Sequence, residues 1–216
     1  APVVVYMHVS GQAIDRSGDV PKLKWDYGYA EWITQAGYIF VAPDSYAMKG
    51  RPSYSSPVPK EYVEHIHDIR QAEIAQAAQS LVNQGYANTD EMYLLGVSEG
   101  AMAAARYHGK EFKGRLILSW SCEPGYFTDF PKVGASSKDP VLNIMGYRDF
   151  YFGRDAPYNT QYAKNTGNCA AHLSTGNYKN ARVIIYPEST HGVSYNQYIR
   201  GDVLGFLSYW VGRSVE

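Results

Sequence analysis

Met92-Tyr93-Leu94-Leu95-Gly96-Val97-Ser98-Glu99-Gly100-Ala101-Met102-Ala103-Ala104-Ala105 is the stretch on which the reading of this chain turns. It begins as a short apolar run, ends as an Ala-rich segment of high helix propensity, and between the two Gly96 to Gly100 fits Gly-x-Ser-x-Gly. The five-residue pattern alone is a weak signal. Set between a strand and a helix, it describes a sharp elbow that exposes the hydroxyl of Ser98 at the end of the strand. Such a turn forces its central residue into strained backbone, and side chains two positions to either side would collide, which Gly96 and Gly100 avoid. The alternative is an ordinary Gly-Ser turn.

Outward from the elbow, short runs rich in Val, Ile and Tyr alternate with longer amphipathic stretches. This is the pattern of a parallel sheet covered by helices on both faces. The runs predict six strands, at Val3 to His8, Tyr38 to Ala42, Glu91 to Val97, Gly114 to Trp120, Val141 to Gly146 and Arg182 to Pro187. Helices are predicted at Tyr27 to Gln35, Glu61 to Gln84, Glu99 to His108 and Tyr195 to Val211. In the second of these, Val63, Ile66, Ile74, Ala77, Ala78 and Leu81 share one face and form core packing. The fold class is therefore α/β, a doubly wound, mostly parallel sheet of about six strands in a single domain spanning residues 1–216, with no repeat or linker to divide it.

The 216 residues are 45% hydrophobic and 19% charged, and 20 Lys+Arg against 21 Asp+Glu leave a net charge of -1. Disorder, collagen and coiled coil are excluded on composition. No basic stripe tracks phosphates, so nucleic acid is not an expected partner. The apolar runs Val3 to Met7 and Tyr38 to Ala42 fall far short of the roughly 18 residues that span a bilayer. No Gly-rich phosphate loop is present, so no nucleotide cofactor is expected. The pair in His65-Ile66-His67-Asp68 points two ways on a helix and cannot chelate from one face, so no metal is expected either. The sequence opens Ala-Pro-Val without a leader, as a processed or truncated chain would. Cys122 and Cys169 both sit near expected rim loops. A bridge between them would suit an exported, periplasmic or secreted protein and would pin one loop over the site, the alternative being two free thiols.

A serine hydroxyl becomes a nucleophile when a base takes its proton, so the elbow predicts an acid and then a His further along the chain. His191, in Glu188-Ser189-Thr190-His191-Gly192 directly after the last strand, is the expected base. His65, His67 and His108 belong to helices and His172 to an irregular loop; a surface loop histidine is the alternative reading of His191. Asp149, three residues beyond Gly146, is the expected acid that orients His191. Glu123 after the fourth strand is its competitor, and Asp155 a more remote one. Two N-H donors must stabilise an oxyanion. The expected donors are the backbone N-H of Glu99, at a helix start whose dipole favours negative charge, and that of Ser10 in His8-Val9-Ser10-Gly11, with Val9 as the replacement.

Elbow, acid and base in this order, with His8-Val9-Ser10-Gly11 ahead of them, resemble the α/β-hydrolase superfamily from the first strand to the final helix. The closer resemblance is to the dienelactone hydrolase family. It rests on Ala42-Pro43-Asp44-Ser45-Tyr46 with Lys49-Gly50-Arg51, on Gly146-x-x-Asp149, and on Tyr186-x-x-x-x-His191-Gly192. The chain departs from that family in carrying Ser98 where the namesake enzymes use a cysteine and Val9 where relatives often have Gly. It also lacks the two strands that usually precede the oxyanion-hole strand, which implies a minimal fold or residues missing before Ala1.

The resemblance implies a serine hydrolase acting on a small ester or lactone, against the alternatives of a peptidase or amidase on the same triad and of a non-catalytic binding module. Tyr46 to Lys60 and Phe150 to Lys179 are irregular, Tyr-, Ser-, Asn- and Gly-rich, and follow the C-terminal ends of strands, where open α/β sheets build their crevice. They are the expected substrate loops, with Tyr46, Arg51 and Arg148 as candidate substrate-binding residues and the two arginines placed to pair with a substrate carboxylate. No insertion is long enough for a separate lid, so the expected site is open and shallow.

Overall fold

The computed structural model describes residues 1–11, 14–24 and 26–215. Six strands form one fully parallel sheet: β1 (Val3–Met7), β4 (Ile39–Val41), β5 (Met92–Val97), β6 (Gly114–Leu118), β7 (Val141–Gly146) and β8 (Ala181–Tyr186). A small antiparallel hairpin, β2 (Ile14–Asp15) with β3 (Lys22–Leu23), stands apart from it. The helices are α1 (Tyr27–Gln35), α2 (Lys60–Val82), α3 (Glu99–Arg106), α4 (Ala170–Thr175) and α5 (Ile199–Trp210).

The apolar run of β1 shows why the sheet is covered on both sides. Its side chains alternate between faces, and all five are buried. Val4 and Tyr6 pack with Tyr29 and Ile33 of α1 and with Val203 and Phe206 of α5. Val3, Val5 and Met7 pack with Ile74, Ala78 and Leu81 of α2 and Ala103 and Ala104 of α3. All six residues predicted for the buried face of α2 are buried. A third cluster joins Met102 and Ala105 of α3 to Trp120, Tyr126, Phe127, Phe152 and both cysteines. Cys122 and Cys169 form a disulfide, Cα–Cα 4.8 Å, that ties the loop after β6 to the start of α4 across 47 residues. On the chain-entropy model such a closure stabilises by up to about 4 kcal/mol.

The strands run in the order β4-β1-β5-β6-β7-β8. The chain leaves β1 to one side for β4 and returns on the other side at β5, so the direction of winding reverses between β1 and β5. A crevice opens at the C-terminal ends of strands at such a point, which puts the elbow after β5 opposite the loop after β1.

Three details depart from the sequence reading. α4 lies inside the segment read as irregular; at six residues it is too short to display a helical period, and just before it Asn168 Oδ1 accepts from Ala170 N-H at 2.9 Å. α5 begins at Ile199 rather than Tyr195. Asn196 takes the N-H of Tyr198 on its own side chain (2.9 Å) and donates to Ser189 Oγ (2.9 Å), local bonds that compete with helix formation. The β2–β3 hairpin has two-residue strands, below what alternation can reveal.

Candidate active site

Ser98 sits between β5 and α3 with φ 57° and ψ -119°, a backbone conformation that L-residues rarely adopt. The flanking glycines are required by contact. A Cβ on Gly96 would lie 2.1 Å from the carbonyl oxygen of Gly100, and one on Gly100 would lie 2.0 Å from that of Met7. Gly100 thus lets α3 start directly against the end of β1, and Ser98 N-H is anchored on Leu118 O at 2.9 Å.

The same economy positions the histidine. A Cβ on Gly146 would lie 2.0 Å from Thr190 O, so this glycine lets the loop after β8 press against the end of β7. Arg148 N-H donates to Ser189 O (3.0 Å) and Ser119 Oγ to His191 O (2.6 Å), which fixes the loop from both sides. His191 Nε2 then lies 2.8 Å from Ser98 Oγ and its Nδ1 2.8 Å from Asp149 Oδ2. The carboxylate of Asp149 is fully buried, and its Oδ1 accepts from the backbone N-H groups of Tyr151 (2.8 Å) and Phe152 (3.0 Å). Oδ2 is left to His191. An ionised carboxylate only accepts, so neutral His191 carries its proton on Nδ1 and presents the Nε2 lone pair to Ser98. In this arrangement the imidazole can take the serine proton.

The competing acids lie elsewhere. Glu123 accepts from Thr166 N-H (2.6 Å), Thr166 Oγ1 (2.9 Å) and Gly167 N-H (2.9 Å), so its carboxylate braces the loop before α4. Asp155 is exposed.

Across the crevice from His191, Val9 and Ser10 follow β1, while Glu99 N-H belongs to the first turn of α3 and has no partner within the helix. His8 is buried. Its Nδ1 donates to Val9 O at 2.7 Å, and its Nε2 accepts from Ser45 N-H at 3.2 Å, with Arg70 Nη1 also at 3.2 Å. Burial, reinforced by the Arg70 guanidinium, pushes the His8 pKa down to about 3, so the ring stays neutral. A trans peptide points its C=O and N-H in opposite directions, so holding Val9 O turns the Ser10 N-H away from His8.

The residues expected to bind substrate are placed differently. Arg51 does not reach the crevice, because its side chain is only 1% exposed and is consumed internally. It donates to Glu99 Oε1 (2.5 Å), Ser45 Oγ (3.0 Å), Tyr46 Oη (3.2 Å) and Pro52 O (2.6 Å). Tyr46 in turn donates to Ser10 O, and Tyr54 donates to Glu99 Oε2 at 2.8 Å. The buried carboxylate of Glu99 therefore ties the loop after β4 to the elbow, and Arg70 Nε approaches the same carboxylate at 3.5 Å. Arg148 pairs with Glu188 at 2.8 Å in solvent, where such pairs are weak.

The crevice over Ser98 and His191 has a volume of about 400 Å³. Its walls are Tyr54 to Ser56 from the loop after β4, Tyr126 and Phe127 from the loop after β6, and Tyr151 and Phe152 beside Asp149. Tyr54 to Ser56 and Tyr151-Phe152 lie in the two segments expected as substrate loops, although none of these residues was singled out, whereas Tyr126 and Phe127 come from a third loop, after β6, that the sequence analysis did not name.

No protein-family model matches the sequence, and no curated protein matches it. Several solved structures are similar to it. One is a provisionally assigned dienelactone hydrolase of Klebsiella pneumoniae, 18% identical over 97% of this chain and 87% of that one, TM-score 0.67. A second is TT1662 of Thermus thermophilus, 17% identical over 99% and 90%, TM-score 0.64. A third is esterase PE8, 19% identical over 96% and 92%, TM-score 0.56. At such identities the likeness carries architecture. With a six-stranded parallel sheet, a strained serine elbow after β5 and these neighbours, the chain has the α/β-hydrolase fold.

Proposed function

We propose that the protein is a serine hydrolase that cleaves a small ester or lactone through an acyl-enzyme intermediate, in the manner of the dienelactone hydrolase family but with serine as nucleophile. The observation that carries this reading is the continuous hydrogen-bonded chain from Ser98 Oγ through His191 to Asp149, with 2.8 Å at each step. Ser98 Oγ attacks the carbonyl carbon while His191 Nε2 takes its proton. The imidazolium that forms is stabilised by Asp149. The carbonyl oxygen, now negative, is received by the N-H groups of Glu99 and Ser10. Collapse of the tetrahedral species expels the alcohol, protonated by His191. Water then attacks the acyl-enzyme by the same route and frees Ser98. The disulfide supports an oxidising, extracytoplasmic compartment.

Turnover of p-nitrophenyl esters tests the proposal. Acetate and butyrate are expected to be hydrolysed, with kcat/KM falling steeply toward long chains and the matched anilide turned over far more slowly. Ser98→Ala is expected to lose several orders of magnitude in kcat with an unchanged Tm. A maximum at palmitate, or an anilide cleaved as fast as the ester, contradicts it.

A further inference from the structure

The rings around the crevice form one connected wall. Tyr54 meets Phe127 at 5.9 Å between ring centroids, Phe127 meets Tyr126 at 4.8 Å and Phe152 at 5.3 Å, and Phe152 and Tyr151 meet His191 at 5.7 and 4.7 Å. The polar tips of two of these rings are occupied within the protein. Tyr54 Oη donates to Glu99 and Tyr126 Oη to Ser56 Oγ at 3.2 Å, so these two rings offer the crevice hydrocarbon and π surface. Tyr126, Phe127 and Phe152 are less than 10% exposed and belong to the same packed cluster as the Cys122–Cys169 disulfide. The wall is therefore rigid before any ligand arrives, and a ligand packing against it need not order it.

The charge of the lining points the same way. Among the described residues that line the crevice there is no Lys, Arg, Asp or Glu. The two arginines that would have met a carboxylate are paired to Glu99 and to Glu188. A charged group entering the crevice would give up water and gain no counter-ion. An uncharged planar ring, in contrast, extends the existing series of edge-to-face and stacked contacts, a preference that an aliphatic group of equal area does not share.

Building on the serine-hydrolase reading, we propose that this crevice is a subsite for an uncharged aromatic ring, carried by the acyl or by the alcohol part of the ester cleaved at Ser98. The cleavage is ordinary ester hydrolysis, with water as the second reactant and an acid and an alcohol as products.

The test uses two pairs of esters matched in reactivity and size. Methyl 3-phenylpropanoate against methyl 3-cyclohexylpropanoate places the ring on the acyl side. Benzyl acetate against cyclohexylmethyl acetate places it on the alcohol side. The proposal expects kcat/KM to favour the aromatic member about tenfold or more in at least one pair, the scale of one or two aromatic contacts. A para-carboxylate on the preferred ring is expected to remove that advantage. Ratios within twofold in both pairs, or faster cleavage of the cyclohexyl esters, overturn the aromatic subsite; if Ser98→Ala abolishes that turnover, the hydrolase reading stands. Turnover of none of the four esters, or turnover that survives Ser98→Ala, overturns both.

Discussion

Glu99→Gln removes one charge from the molecule's interior and nothing from its shape. Wild-type Glu99 and Arg51 side chains are each 1% exposed and that of Arg70 is fully buried, so the substitution leaves two guanidiniums facing a neutral amide. Arg70 retains Glu73 at 3.3 Å; among the described residues Arg51 retains only neutral acceptors. Removing one partner of a buried ion pair costs about 3–5 kcal/mol. Glutamine still accepts one hydrogen bond, so the lower end, about 3 kcal/mol, applies. For a domain of this size that is a fall in Tm of about 6–12 °C. The assay is urea and thermal unfolding of wild type, Glu99→Gln, Arg51→Met and the double variant. Because the two side chains touch, the double variant is expected to lose about 2 kcal/mol less than the sum of the single variants. A Glu99→Gln protein within 2 °C of wild type, with additive effects in the double variant, refutes the reasoning. An Arg51→Met protein that keeps its Tm and instead shows a raised KM for anionic esters would return Arg51 to the substrate.

Two further outcomes follow from the site and from its buried histidines. Asp149→Asn is expected to lower kcat by about 10⁴ by removing the acceptor that fixes the His191 tautomer, whereas Glu123→Gln, which loosens only a loop brace, should cost less than about tenfold; the reverse ranking in steady-state kinetics would move the acid to Glu123. Burial, with nearby arginines, lowers the pKa of both His8 and His67 to about 3, against 6.5 when unfolded. The unfolded chain therefore binds more protons between those values, and stability present above about pH 6.5 is lost as pH falls toward 3, by about 2 kcal/mol per histidine at pH 5. Among the described residues His67 Nε2 has no hydrogen-bond partner, so His67→Leu should relieve its share. Urea midpoints at pH 7 and pH 5 check this, and equal losses in wild type and variant would contradict it.

The central strands β1, β5, β6 and β7 were legible because each is buried on both faces and so reads as a largely apolar run, as in Val3–Met7. That Ser98, Asp149 and His191 would come together was legible because the elbow needs its glycines and each partner follows a strand end by a few residues. Arg51 was not. It too follows a strand end, yet its partner Glu99 is 48 residues away, and only the folded chain reveals that the charge is already taken. The anchoring of Val9 O by His8 was equally hidden, since it depends on Ser45 and Arg70 arriving from other elements to fix the ring. The aromatic wall joins Tyr54, Tyr126 and Tyr151 across nearly a hundred residues, with no period to betray it.

The central claim is that Ser98 is an activated nucleophile, and covalent labelling tests it without knowledge of the substrate. Folded protein treated with a fluorophosphonate, digested and mapped by mass spectrometry should carry one adduct, on Ser98. The adduct should vanish in Ser98→Ala and form far more slowly in Asp149→Asn. An adduct on any other serine, or an unlabelled Ser98 in folded wild-type protein, would contradict the account.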